Sequence, residues 1–97
     1  MNYPIIWSPE SKTTFEKIIQ YLEKNWSQKE VSSFIDRVDK VLHLISQHPK
    51  IFVYLQKYKA YRCVVVKQVS LFYRIKENQI ELLTFWGNRM ALEKLKL

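Results

Sequence analysis

The apolar residues of this chain change their period once, near residue 58, and that change decides most of what the chain can fold into. Before it, Phe15, Ile18, Ile19, Leu22 and Trp26 recur at helical spacing, and so do Val31, Phe34, Ile35, Val38, Val41, Leu42 and Ile45. Each set makes one apolar stripe along an amphipathic helix. After it, residues 60–67, 69–76 and 80–86 are rich in β-branched and aromatic side chains and alternate with period two, as strands do. A helical half followed by a strand half defines an α+β fold and excludes an alternating α/β one.

Local signals set the boundaries. Ser8-Pro9-Glu10 opens the first helix: Ser8 caps free amides, Pro9 loses no hydrogen bond at the first helical position, and Glu10 meets the positive end of the helix dipole. The helix ends near Asn25 or Trp26. Ser27-Gln28-Lys29-Glu30 has capping-box spacing and starts the second helix, which Pro49 stops. The short connection makes the two helices an antiparallel αα-hairpin. The equally short connections between the later strands make them an antiparallel meander. Glu77-Asn78-Gln79 is a turn, Asn being tolerant of positive φ. Tyr3 to Trp7 is a short strand that Pro4 confines to an edge or a strand start. Gly87, the sole glycine, is expected to turn the chain out of the last strand with a positive φ. Residues 90–97 form a tail with Leu92, Leu95 and Leu97.

The expected order is therefore strand, helix, helix, strand, strand, strand, with the helices on one face of an antiparallel sheet and the other face free. One residue of register decides which side chains share that face. A two-residue turn at Lys67-Gln68 pairs Val66 with Val69, sets Arg62 opposite Tyr73 and sends Arg74 to the other face. A three-residue turn pairs Val66 with Ser70 and brings Arg62 and Arg74 together. Both registers remain open at this point.

Composition bounds the rest. The chain has 97 residues, 47% of them apolar, which suits one domain over 1–97 with a packed core. A single cysteine, Cys63, forms no intramolecular disulfide and points to a reducing compartment. The N-terminus lacks a leader pattern, and no stretch approaches the ~18 apolar residues of a membrane span, so a cytoplasmic location without membrane contact is expected. Glycine-rich phosphate loops and clustered metal ligands are absent from the sequence, and neither a cofactor nor a metal is expected.

Charge is split unevenly. Residues 1–48 sum to zero, and the whole net charge of +7 lies in residues 49–97. Lys50, Lys57, Lys59, Arg62, Lys67, Arg74 and Lys76 follow one another with no acidic residue between them. Such a field attracts nucleic acid or an acidic protein segment.

Three stretches then bear on family: Tyr61-Arg62-Cys63-Val64-Val65-Val66, Leu71-Phe72-Tyr73-Arg74-Ile75, and Ile80-Glu81-Leu82-Leu83 running into Phe85-Trp86-Gly87-Asn88-Arg89. Together with Trp7-Ser8-Pro9 before the first helix and His48-Pro49 after the second, they resemble the RelE/ParE superfamily of toxins from bacterial toxin–antitoxin modules. The resemblance implies an acidic antitoxin as partner, with a homodimer or a toxin–antitoxin hetero-oligomer as assembly. It also implies one of two actions. RelE-like members cleave messenger RNA on the ribosome with basic residues of the sheet face, and ParE-like members inhibit DNA gyrase without that set. Arg62 and Arg89 match basic family positions, whereas Val64 and Ser70 stand where RNA-cleaving relatives carry further cations. The ParE-like branch is favoured, ahead of a ribosome-dependent endoribonuclease and of a non-toxic basic nucleic-acid-binding module.

The residues themselves weigh the same way. RNA cleavage needs a base, an acid and cations for the phosphorane. His43 and His48 lie late on the second helix, away from the basic strands, and read as helix-surface and helix-end residues. Arg62, Arg74, Trp86 and Arg89 are the candidate binding residues, since the arginine fork suits phosphate or carboxylate and an indole offers a stacking face. A catalytic set, if the chain is an enzyme, would comprise Arg62, Arg89 and the loop lysines Lys57 and Lys59. Cys63, alone in a strand, reads as a small buried hydrophobe.

Overall fold

The computed structural model describes residues 2–88 together with Leu95 and Leu97. Its elements are β1 (Ile5–Trp7), α1 (Pro9–Asn25), α2 (Gln28–Gln47), β2 (Val53–Leu55), β3 (Ala60–Val66), β4 (Val69–Lys76) and β5 (Gln79–Gly87). They form an α+β fold with one five-stranded sheet in the order β1-β5-β4-β3-β2. All neighbours are antiparallel except β1 and β5, which run parallel. Strand β2 adds a fourth member to the expected meander. Its three residues are too few to carry a period, and Val53 and Tyr54 are exposed, so sequence alternation could not reveal it.

The helices begin and end for the reasons read from the sequence. Ser8 Oγ accepts from the Ser11 amide at 3.0 Å, with Pro9 opening the first turn. Ser27 and Glu30 form a reciprocal capping box: Ser27 Oγ accepts from the Glu30 amide at 3.3 Å, and Glu30 Oε1 accepts from the Ser27 amide at 3.2 Å. Two orphan donors are thereby satisfied before α2 gains any tertiary support. Helix α2 closes at His48, whose amide donates to Leu44 O at 2.9 Å just before Pro49.

One core cluster joins helices and sheet. Val31, Phe34, Val38, Val41 and Ile45 of α2, with Leu22 of α1, pack on Cys63, Val65, Leu71, Tyr73, Ile80, Leu82 and Phe85. Full burial of each such aliphatic or aromatic side chain stabilises by roughly 1.5–3 kcal/mol, and the stripes thus fix which sheet face the hairpin covers. Tyr73 is wholly buried, and its hydroxyl donates to Pro49 O at 2.7 Å, which ties the end of α2 to the central strand.

The register settles on neither alternative, because a bulge intervenes. The turn at Lys67-Gln68 does have two residues and pairs Val66 with Val69, but the ladder shifts at Val65, so that Val64 pairs with Ser70 and Arg62 with Phe72. One inserted residue restores Arg62 and Arg74 to the same face, the outcome that the three-residue turn would have given. The Val65 carbonyl at the bulge accepts from Arg37 Nε of α2 at 3.1 Å. The β4–β5 turn is built on Glu77 (φ 51°) and Asn78 (φ 63°), the left-handed pair of a type I′ hairpin. Gly87, by contrast, does not have the positive φ expected of it, and the chain leaves β5 without that device.

The second sheet face is not free either. Phe72 and Ala60 are completely buried although they lie outside the helix-side cluster. The turn between β2 and β3 folds back so that the Tyr58 ring stands edge-on to Phe72, with centroids 6.3 Å apart. Leu95, from the expected tail, is also buried, while Leu92 and Arg89 lie outside the described residues.

Candidate functional site

Arg62 sits in the middle of β3, half-exposed, on the face turned away from the hairpin. Two polar side chains organise it through three hydrogen bonds. Its Nε donates to Ser70 Oγ at 3.1 Å and its Nη2 to Asn88 Oδ1 at 3.1 Å, while Ser70 Oγ donates to the same Asn88 oxygen at 2.6 Å. Asn88 is itself fixed by Nδ2 donating to Lys67 O at 2.9 Å and by its amide donating to Gln68 O at 2.8 Å. The turn after β3 and the end of β5 thus hold one guanidinium in place. Nη1 has no partner among the described residues, so part of the fork stays available to an anion.

Arg74 shares the face but spends its fork on the protein. Nε donates to Lys59 O at 3.2 Å and Nη2 to Tyr58 O at 3.4 Å, and Nη1 lies 3.8 Å from Glu81 Oε1. The pair with Glu81 is about one-third exposed on each side and contributes little by itself. The two backbone contacts matter more, since they tie down a turn whose Lys59 has φ 51°. Lys57 and Lys59 are exposed on that turn, and Lys57 Nζ stands 5.6 Å from the Tyr58 ring centroid. The return of this loop onto the face of Arg62 is the arrangement that the two lysines need in order to act beside it.

Trp86 lies across from Ser70 on β5 and is half-buried. It borders a groove of about 550 Å³ between α1 and the β3–β4 turn, together with Ile18, Tyr21, Trp26 and Gln68. Of the residues singled out in the sequence, the structure brings Arg62 and Arg74 to one face, folds the loop that carries Lys57 and Lys59 beside Arg74, sets Trp86 across from Ser70, and leaves Arg89 outside the described residues. His43 and His48 are exposed on the helical side of the sheet, away from Arg62.

Sequence reasoning missed Ser70 and Asn88. Ser70 stands at a position where a cation was sought, yet it is fully buried and acts as the bracket for Arg62. Asn88 follows Gly87 in a stretch already singled out, but only the fold shows that its amide reaches back across the sheet. Cys63 is fully buried, and burial pushes its thiol up to about 11, against a smaller opposing pull from Arg37. Burial likewise raises the Tyr73 phenol. Neither group is poised as a nucleophile. No cluster of three or more potential metal ligands occurs among the described residues.

Fold and site geometry define a small α+β protein with a basic, partly apolar sheet face built around one bracketed arginine. A family model described as the ParE toxin of the type II toxin–antitoxin system, parDE, matches residues 5–92, and the chain belongs to that family. Membership makes it a toxin component whose family counterpart is an antitoxin. Among solved structures it is similar to the conserved hypothetical protein HP0894 from Helicobacter pylori, with a TM-score of 0.58 at 16% identity over 90% of this chain and 96% of that one. That likeness speaks to fold. No curated protein matches the chain significantly. No helix among the described residues is long and apolar enough to cross a membrane.

Proposed function

We propose that this toxin arrests bacterial growth by docking on DNA gyrase in the cytoplasm, with residues 1–97 acting as one domain, and that an acidic antitoxin silences it by covering the basic sheet face. The observation that carries the reading is the setting of Arg62. Its bracket consists of Ser70 and Asn88, and Phe72 and Val64 are its neighbours along and across the strands. None of these side chains titrates near neutrality, so the face is suited to binding an anionic surface and poorly equipped to move protons. Arg62, Trp86 and Arg89 are the docking residues in this reading, with Arg74 shaping the loop beside them.

A second reading, ribosome-dependent cleavage of messenger RNA by Arg62, Arg89, Lys57 and Lys59, draws support from the loop that returns the two lysines to this face. Induction in a bacterium, with messenger RNA cleavage and plasmid supercoiling followed in parallel, separates the two. Growth arrest with loss of negative supercoiling and intact transcripts is expected. Rapid transcript cleavage with normal supercoiling would transfer the assignment to the ribonuclease. No arrest at all would leave a basic nucleic-acid-binding module. Relief of arrest by co-expression of an acidic protein encoded beside the toxin is the corresponding test of the antitoxin.

A further inference from the structure

We propose that the end of α2 carries a second binding site, separate from the Arg62 face, for a nucleoside monophosphate. A cleft of about 740 Å³ opens there, where stretches distant in sequence converge: the lead-in to β1, the last turn of α2 with Pro49, the path into β2, and the β4–β5 turn. Backbone hydrogen bonds pin these stretches to one another. The Tyr3 amide donates to Ser46 O at 2.8 Å, the Ile80 amide to Pro4 O at 2.8 Å and the Ile51 amide to His48 O at 3.1 Å. A cleft held in this way needs little ordering before it binds. Ile75, which lines it, alternates with Arg74 along β4 and so faces away from Arg62.

The last turn of a helix ordinarily exposes carbonyls that repel anions and attract cations. Here those carbonyls are largely occupied. His43 O accepts from Ser46 Oγ at 2.7 Å, Leu44 O from the His48 amide at 2.9 Å, Ser46 O from the Tyr3 amide, and Pro49 O from Tyr73 Oη at 2.7 Å. The His48 imidazole and the Lys50 ammonium are not spent on them, and neither has a hydrogen bond or ion pair among the described residues. The same holds for the side-chain amides of Gln47 and Asn78 and for the Tyr3 hydroxyl, which line the same cleft. A helix-end role for His48 therefore accounts for its amide and leaves its ring unexplained.

These groups select the ligand. No acidic residue lines the cleft, and Lys50 with the His48 imidazole supplies one charge and one further donor, enough for a single phosphate rather than a chain of them. Gln47 and Asn78 each present a donor beside an acceptor, the pattern that the edge of a nucleobase answers. Asn78 is set in the hairpin turn by its left-handed backbone, φ 63°. The Tyr3 ring offers a stacking face, and Ile51, 54% exposed, with Ile75 offers apolar contact to a flat base. Inorganic phosphate would leave the amides and the apolar lining unused, and a neutral nucleoside would leave Lys50 unanswered.

The test titrates the isotope-labelled full chain with adenosine monophosphate at constant ionic strength, with adenosine and inorganic phosphate in parallel. The expected result is saturable shift changes at Tyr3, His48, Lys50, Ile51, Ile75 and Asn78, with the monophosphate binding at least about tenfold more tightly than either part alone. The folded variants Lys50→Ala, Tyr3→Leu and Asn78→Gly should each weaken it at least about fivefold, glycine being chosen because it keeps the positive φ. Lys67→Ala, which removes the same charge at the opposite end of β4, should bind it as the native chain does. Phosphate binding as tightly as the monophosphate, or shifts confined to the Arg62 face or to the α1 groove, would overturn the proposal. So would no binding up to about 1 mM, undiminished binding by the three variants, or displacement of the monophosphate from these residues by an acidic peptide or a short RNA. Gyrase takes no part in the readout, so this site and the docking mechanism stand or fall separately.

Discussion

Asn88→Ala removes the acceptor on which two donors converge. In the native protein Asn88 Oδ1 takes Ser70 Oγ at 2.6 Å and Arg62 Nη2 at 3.1 Å, and Ser70 has no exposed surface from which to reach water. A buried donor left without a partner costs about 1–3 kcal/mol, and the guanidinium loses one charge-assisted bond besides. We expect a loss near 2 kcal/mol, which for a chain of this length lowers Tm by about 8–16 °C. Ser70→Ala alone removes the donor and should cost less. Once Ser70 is alanine, the second substitution strands nothing, so the double variant should fall short of additivity by at least about 1 kcal/mol. Chemical denaturation of the four proteins, read by far-ultraviolet circular dichroism and tryptophan fluorescence, measures the cycle. Additivity within about 0.3 kcal/mol, or an Asn88→Ala cost below about 0.5 kcal/mol, would refute the bracket and with it the account of how Arg62 is held.

Phe72→Ala should destabilise by about 3–5 kcal/mol, as for a core phenylalanine, and a loss under about 1 kcal/mol in denaturant titration would mean that the second face is open after all. Cys63 carries a thiol that ionises near 9 when unfolded and near 11 when folded, so its contribution is complete below pH 9 and is lost between pH 9 and 11. Stability profiles of the native chain and Cys63→Ala should diverge only in that window, and parallel profiles would contradict the assigned burial. Arg89→Ala, chosen because Arg89 follows the Asn88 bracket, should change stability by no more than about 0.5 kcal/mol while sharply weakening growth arrest at matched expression, with poor rescue by Arg89→Lys. Full toxicity in the alanine variant would remove it from the docking surface.

Both helices were legible in the sequence because their signals are local: Ser8 with Pro9, the Ser27–Glu30 box, and apolar stripes long enough to show a period. The strands from Ala60 onward were legible for the same reason. Strand β2 was not, since Val53–Leu55 gains its identity from pairing with Ala60–Arg62 and carries no repeat of its own. The bulge at Val65 was equally hidden, because a single inserted residue is stabilised by distant groups such as Arg37. Arg62 could be named from its residue type and position. Ser70 and Asn88 could not, because a serine and an asparagine become a bracket only when β3, β4 and the end of β5 are laid side by side. The burial of Phe72 depended on the returning Tyr58 loop and escaped notice for the same reason.

The central claim is that this chain acts as an inhibitor that docks through the Arg62 face. The most direct measurement adds the purified protein to purified gyrase, relaxed plasmid and ATP and follows the introduction of negative supercoils, with Arg62→Ala in parallel. The account predicts concentration-dependent inhibition by the native protein, largely lost in Arg62→Ala at unchanged fold. Undiminished supercoiling at saturating native protein, or equal inhibition by the variant, would contradict it.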